Sequence, residues 1–317
     1  MFNYVMRRVL IALPVLLGVT IINFIIMSMA PGNPVDMLIS PHIPAEALEA
    51  KRIELGLNAP AYIQYLSWLK HLFQGDLGYS MVTYEPVVKM IMSRMGPTLL
   101  LMGISLIIGV AIAIPLGILS ARKQYSKLDY AAVTGAFLGI SVPNFFLGLG
   151  LIFVFSLWLK ILPSSGMTSL GGSGGIGDIA LHLIMPVIVL TANVAGRNIR
   201  YVRSSMLEIL EQDYLRTARA KGLQELLVIN RHALRNALIP IVTVLGMEIP
   251  ILFGGAVVIE QIFAWPGIGQ LTMSSIMSRD YPTIMGLNLT AAVIVIMANL
   301  LTDIAYVLVD PRIKYSK

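Results

Sequence analysis

No cysteine occurs among the 317 residues. That excludes a disulfide framework, a thiolate nucleophile and any Cys-ligated zinc or iron–sulfur site, and it fits either side of a membrane. Charge is scarce as well. Only 13% of residues are Asp, Glu, Lys or Arg, against about 25% in soluble domains, while 56% are hydrophobic, so most of the surface must meet lipid. There is no G-x-x-x-x-G-K-[ST] phosphate loop, so any ATP that is used binds another chain. The four histidines, His42, His71, His182 and His232, are scattered without metal-ligand spacing. No Ser/His/Asp constellation emerges, and the chain is expected not to be an enzyme. The net charge of +6 is split between segments separated by long apolar runs rather than gathered into one stripe, which argues against nucleic acid.

What is present is a series of apolar runs, each long enough to cross a bilayer. They predict an all-α integral membrane protein with six transmembrane helices, at about Val9–Met29, Thr98–Ala121, Tyr130–Leu159, Ile179–Ile199, Leu238–Phe263 and Ile284–Val309. The third run is long enough to be tilted or to continue past the bilayer. The first run is longer than a signal-peptide core and no A-x-A site follows it, so it is expected to be retained. Arg7 and Arg8, Arg122 to Lys127, Arg200 to Arg235, and Arg312 to Lys317 then all fall on one side. The positive-inside rule makes that side cytoplasmic, with both termini there and the protein in the cytoplasmic membrane. The organisation expected is an N-terminal helix over 1–30, an external helical cap over 31–97, and a five-helix core over 98–317 with a cytoplasmic loop at 201–237.

In the cap, Pro44-Ala-Glu-Ala-Leu-Glu-Ala50 reads as a helix start. Tyr62, Tyr65, Leu66, Trp68, Leu69, Leu72 and Phe73 recur at helical spacing, and Gly75-Asp76 ends that amphipathic helix. The Gly- and Ser-rich segment Ser164–Asp178 reads as a mobile loop. Its Gly172-Ser-Gly-Gly-Ile-Gly177 matches G-x-G-x-x-G, but without a βαβ unit the match carries no dinucleotide site.

Polar groups inside hydrocarbon are costly and mark function by default. Asn144, Asn193, Glu248, Asn299 and Asp303 lie within the runs, which Pro115, Pro143, Pro186 and Pro250 interrupt. Asn144, Asn193 and Glu248 are the candidates for a translocation pathway; for Asn144 and Glu248, interhelical packing is an equal reading, and for Asp303 it is the favoured one. Gly135 and Gly139 have the spacing that lets helices approach closely.

The cytoplasmic loop is the most informative stretch. Asp213 suits an N-cap, Tyr214–Lys221 two helical turns, and Gly222 a C′ stop. So short a helix needs a partner surface. Ala218 and Gly222 would offer it a shallow face, with Arg216 and Arg219 available to acidic groups. A basic juxtamembrane anchor would need neither the cap nor the small face.

At this loop, Arg216-Thr-Ala-Arg-Ala-Lys-Gly222 resembles the E-A-A-x-x-x-G signature of permease subunits of ATP-binding-cassette (ABC) importers. Arg216 replaces the glutamate, Thr217 the first alanine, and Leu234-Arg235 stands where Leu-Pro is expected. The wider resemblance, nearly end to end, is to the dipeptide/oligopeptide and nickel permease family, in which this form of the loop is usual. It is carried by Ala30-Pro-Gly-Asn-Pro34, Leu55-Gly-Leu57, Gly75-Asp-Leu-Gly78, Val142-Pro-Asn-Phe-Phe-Leu-Gly148 and Leu162-Pro-Ser-Ser-Gly166. It continues through Asp213-Tyr-Leu-Arg-Thr-Ala-Arg-Ala-Lys-Gly222, Arg231-His-Ala-Leu-Arg-Asn-Ala237, Phe263-Ala-Trp-Pro-Gly-Ile-Gly269, Arg279-Asp-Tyr-Pro282 and Asp310-Pro-Arg312.

The resemblance implies a type I ABC importer architecture, and the long external segment suggests the first, B-type, of two non-identical permeases. It implies as partners a second homologous permease, two ATPase subunits that hold ATP and Mg, and an external substrate-binding protein; no cofactor is expected in this chain. Asp213, Tyr214, Arg216, Thr217, Ala218, Arg219, Ala220, Lys221 and Gly222 would couple to the ATPase, and Trp265, Pro266 and Gly267 would help dock the binding protein. The expected function is translocation of di- or oligopeptides across the cytoplasmic membrane by alternating access. Nickel or a metal chelate is the alternative cargo. A stand-alone ion-coupled transporter or channel is the alternative class, and it lacks a visible internal repeat.

Overall fold

The computed structural model describes residues 2–29, 53, 58–169, 171 and 174–309. Every regular element among them is helical: α1 (Phe2–Met29), α2 (Ala61–Phe73), α3 (Val87–Arg122), α4 (Lys127–Ser141), α5 (Asn144–Leu151), α6 (Ile176–Leu210), α7 (Asp213–Ala220), α8 (Leu234–Ile262), α9 (Ile268–Met277) and α10 (Tyr281–Val309). Stretches of π-helix extend α5 over Ile152–Trp158 and lead into α8 over Val228–Ala233. The helix start expected at Pro44 and the motifs at 30–34, 55–57 and 310–312 lie outside the described residues.

Four described helices, α1, α3, α6 and α10, are long and apolar enough to cross a membrane. The run expected as a third span is a pair, α4 and α5 with its π extension, bent by 96°. Proline causes the break: Pro143 has no N–H to continue the ladder and disfavours helical backbone at the residue before it, and Val142 is extended at φ −79°, ψ 121°. The fifth of the expected runs falls on the 29-residue α8. Helix α6 has 35 residues, about 52 Å at 1.5 Å per residue, so it outruns a hydrocarbon core of about 30 Å.

The chain divides into two compact units. One holds the described residues up to Gly96 together with Gly267–Ile296; the other holds Pro97–Pro266 and the described residues from Met297 onward.

In the first unit, the Tyr65 hydroxyl of α2 is 3.0 Å from that of Thr20 on α1, and its ring meets Phe24 edge-on at 5.4 Å. Asn23 ties α1 to α10, donating to the Met285 carbonyl and accepting from Asn288. Of the apolar face expected on α2, Tyr65, Trp68, Leu69 and Leu72 are half-buried, while Tyr62, Leu66 and Phe73 are exposed. Gly75, at φ +78°, stops the helix as expected. Asp280, of the Arg279–Pro282 motif and only 2% exposed, accepts hydrogen bonds from the Ser80 and Thr283 hydroxyls and the Met81 N–H.

In the second unit, α6 is central. One apolar cluster gathers Leu101, Met185, Leu190, Ile259, Phe263 and Trp265; a second gathers Val202, Met206, Leu215, Val228, Ile229 and Ile241. Helices α4 and α6 touch backbone to backbone. A Cβ on Gly196 would stand 2.6 Å from the Ala136 carbonyl oxygen, and one on Gly139 would stand 2.8 Å from that of Ala192. Gly135, expected to share this role, faces nothing within 4 Å. The segment expected as a mobile loop is fastened: the Gly166 N–H donates to the Phe263 carbonyl, and the Ser169 N–H and hydroxyl both donate to Asp178.

Candidate functional site

Two features stand out, the short helix of the 201–237 loop and a polar network among the long apolar helices. The short helix α7 begins one residue earlier than its sequence suggests. Gln212 is the N-cap, with no side-chain cap bond, and Asp213 is the first helical residue, its carboxylate 3.5 Å from Arg216. Since α6 runs to Leu210, Gln212 already has the extended backbone of a cap. The stop is as expected. Gly222 sits at φ +77°, its N–H bonds the Arg219 carbonyl, and the Leu223 N–H reaches Ala218, the paired pattern of a left-handed C-terminus.

The face of α7 is a correction. Leu215 is fully buried and Ala218 is 9% exposed, both packed in the second cluster of their own chain. Leu215 and Ala218 lie three apart and form the helix's apolar stripe. Part of the surface that the helix needs is therefore supplied by its own chain, against which Leu215 and Ala218 pack. Asp213, Tyr214, Arg216, Thr217, Arg219, Ala220, Lys221 and Gly222 are exposed. Both arginines are exposed and each has an acidic neighbour on its own chain. Arg219 grips Glu225 with Nε at 3.1 Å and Nη2 at 3.0 Å, which holds the Glu225 carboxyl below its ordinary value and raises the guanidinium's.

Inside the spans, the structure joins all three sequence-selected residues. Asn193 Nδ2 donates to Asn144 Oδ1 at 3.3 Å, linking α6 to the α4–α5 bend. Asn193 Oδ1 accepts from Arg197 Nη1. Arg197 then grips Glu248 of α8 through Nε at 3.2 Å and Nη2 at 2.6 Å, and Asn198 Nδ2 adds a third bond to that carboxylate at 3.0 Å. Glu248 is 2% exposed. A carboxylate buried this deeply is tolerable only when paired and hydrogen-bonded. Arg197 is the member the sequence reading missed. Its signal was an arginine inside the fourth run, four residues after Asn193 and so on the same face. Asn299 lies exposed on α10.

A second missed pair lies six residues further along α6. Arg203 holds Asp129, which is 3% exposed, and the carboxylate also accepts from the Ser120 hydroxyl and the Tyr125 N–H. Ser126 caps α4 by accepting from the Asp129 N–H.

The turn expected to help dock an external protein lies largely inside the fold. Trp265 is fully buried; its indole N–H donates to the Pro97 carbonyl at 3.0 Å and its backbone N–H to Glu260. Positive φ at Ala264 (47°) turns the chain so that the indole points inward. Gly267 is buried too, and Pro266 is half-buried.

Comparison with known proteins adds independent findings. The family model described as "Binding-protein-dependent transport system inner membrane component" matches residues 113–315, and the model for the N-terminal part of such membrane components matches residues 1–102. The oligopeptide transport system permease protein AppB of Bacillus subtilis (strain 168) is 48% identical over 317 residues, covering 99% of this chain and 100% of that protein. A putative peptide permease protein of Brucella suis is 46% identical, covering 99% of each. The glutathione transport system permease protein GsiC of Escherichia coli O6:H1 is 39% identical over 315 residues, covering 99% of this chain and 100% of its own. Among solved structures, the MetNI methionine ABC transporter in an inward-facing conformation is similar at TM-score 0.57 and 20% identity, over 70% of this chain and 97% of that one. An amino acid ABC transporter is similar at TM-score 0.55 and 16% identity, over 71% and 95%. At these identities the structural likeness is one of fold.

Proposed function

This chain belongs to the binding-protein-dependent transport system inner membrane component family, and from that premise we propose that it is the permease through which di- or oligopeptides cross the cytoplasmic membrane. Its fold is the all-α membrane permease fold of ABC importers, whose members work with ATPase and binding-protein subunits. The finer reading is ours. A second, homologous permease completes the path, and two ATPase subunits hold ATP and Mg. Residues 31–97 face outside; both termini and the 201–237 loop face the cytoplasm. Hydrolysis takes place in the partners and not in this chain. Peptide cargo is favoured over nickel or a metal chelate by the names of the relatives, an oligopeptide and a glutathione permease.

The observation that carries the mechanism is the seating of α7. Leu215 and Ala218 anchor it to the cytoplasmic ends of α3, α6 and α8, and its exposed side is left for another subunit. A two-turn helix fixed in this way acts as a lever: an ATPase that grips Asp213, Tyr214, Arg216, Thr217, Arg219, Ala220, Lys221 and Gly222 moves the helices beneath it. Ala218 belongs to the anchor rather than to the grip. ATP drives the switch between inward- and outward-open states only if it binds one of them more tightly. Asn144, Asn193 and Arg197 line the path, and Glu248, the third residue the sequence singled out, stands buried behind them as the partner of Arg197. The binding protein docks on the external segments, with Pro266 the accessible member of its turn.

Gentle purification through a tag on this chain tests the reading. Co-purifying ATPase chains, a second permease and ATP-dependent peptide uptake in proteoliposomes support it. A homo-oligomer that transports without any ATPase would overturn it.

A further inference from the structure

The polar network at the α4–α5 bend has a direction, fixed by the chemistry of its members. Arginine carries donors and no acceptor, so the side-chain oxygen of Asn193 must face Arg197. The Asn193 amide nitrogen is then turned to Asn144 Oδ1, and Asn144 is left presenting its NH2 group away from the network. At the other end Glu248 carries acceptors only, so Asn198 must offer it Nδ2. Of the five guanidinium N–H groups, three are engaged, one each from Nε and Nη2 on Glu248 and one from Nη1 on Asn193. Two remain. Glu248 and Asn198 are 2% and 1% exposed, so the network's carboxylate lies at its buried end. Asn144 and Arg197 are only half-buried, so the accessible end offers donors, and the guanidinium charge behind them is already balanced by Glu248.

We propose that Arg197 and Asn144 form a neutral donor site that binds the backbone carbonyl oxygens of a peptide in transit; this rests on the peptide-permease reading above. A bare guanidinium would select and retain a terminal carboxylate. A neutralised one suits neutral acceptors, and a peptide supplies a carbonyl at every residue whatever its side chains. A bond from a charge-balanced guanidinium to a neutral carbonyl is weaker than a bidentate ion pair with a carboxylate, which suits a site that must release what it binds.

The absence of cysteine from this chain makes the test direct. Asn144→Cys is introduced in the complete transporter in proteoliposomes, and labelling of this chain by a methanethiosulfonate reagent is followed during turnover with a free-acid peptide or with its C-terminally amidated form. Both peptides are expected to slow labelling several-fold and to the same extent. The control Phe146→Cys, at a position 63% exposed on α5, is expected to be unprotected. A second variant, Arg197→Lys, keeps the charge but loses the fork, and it is expected to lower uptake of both peptides equally. Protection or loss confined to the free acid would overturn the proposal in favour of a carboxylate site. An unprotected thiol in Asn144→Cys, in a complex whose wild type transports the peptide, would overturn the proposal and leave the permease reading standing. A wild-type complex that moves no peptide would overturn that reading and the proposal with it.

Discussion

Arg203 closes on Asp129 in a two-point grip, Nε to Oδ1 at 2.7 Å and Nη2 to Oδ2 at 2.8 Å, joining the C-terminal part of α6 to the first turn of α4. Arg197 makes the corresponding grip on α8 six residues earlier. Six residues are about 600° of helix, so the two arginines leave α6 on different sides, and α6 is clamped to both neighbours.

Replacing one partner of such a pair strands the other. Asp129→Asn is expected to destabilise the folded chain by about 3 kcal/mol, at the low end for a broken buried pair because Arg203 keeps 22% side-chain exposure. Thermal unfolding of the detergent-solubilised complex checks this. The exchange Asp129→Arg with Arg203→Asp should recover part of the loss; no recovery would mean that the Ser120 and Tyr125 bonds matter more than the ion pair.

Gly222 should be limited by backbone rather than space. Its φ is +77° and nothing lies within 4 Å of an added Cβ. Left-handed backbone costs an ordinary residue roughly 1–2 kcal/mol and is tolerated best by Asn. Uptake in proteoliposomes is therefore expected to fall in the order Gly222→Asn, Gly222→Ala, Gly222→Val. Gly222→Leu should leave the protein inserted but separate ATP hydrolysis from uptake. Equal activity across the series would mean that the stop of α7 plays no part in coupling.

Leu215 anchors the lever. With its side chain fully buried, Leu215→Ala should cost about 2–4 kcal/mol and loosen α7. Hydrogen exchange of the Asp213–Gly222 amides is expected to quicken, with fewer substrate molecules moved per ATP. Slow exchange in this variant would place the anchor elsewhere.

The Glu225–Arg219 bridge predicts a pH window. The guanidinium holds Glu225 below its ordinary value of 4.5, with Arg122 adding to the effect. A depressed carboxyl contributes stability that is present above the unfolded value and lost as pH falls through the folded one. Both groups are well exposed, so the contribution is at most about 1 kcal/mol and is weakened by salt. Protection of the α7 amides, with exchange measured relative to its intrinsic rate at each pH, should be insensitive to this bridge from neutral pH down to about 5 and should decrease below the carboxyl's ordinary 4.5. In Glu225→Gln the acid step from this group should vanish.

Much of this was legible in the sequence because membrane chains expose their exceptions. Asn144, Asn193 and Glu248 stood out against apolar runs, and Gly222 announced a helix end. What stayed hidden depended on where helices stop and turn. The helix α6 continues unbroken from the apolar run to Leu210, so Arg203 read as loop and its partner Asp129 was overlooked, while Arg197 was passed over beside its basic neighbours. Proline at 143 announced a break, but its 96° angle follows from packing. The burial of Trp265 turns on one positive φ at Ala264, which no residue pattern there encodes.

The central claim is that the exposed side of α7 meets an ATPase. Lys221→Cys, the only thiol in this otherwise cysteine-free chain, should cross-link in native membranes to an ATP-binding subunit, with a yield that changes when ATP is added. If neither Lys221→Cys nor Arg216→Cys gives such an adduct in membranes that import peptide, the lever lies elsewhere and the coupling account is wrong.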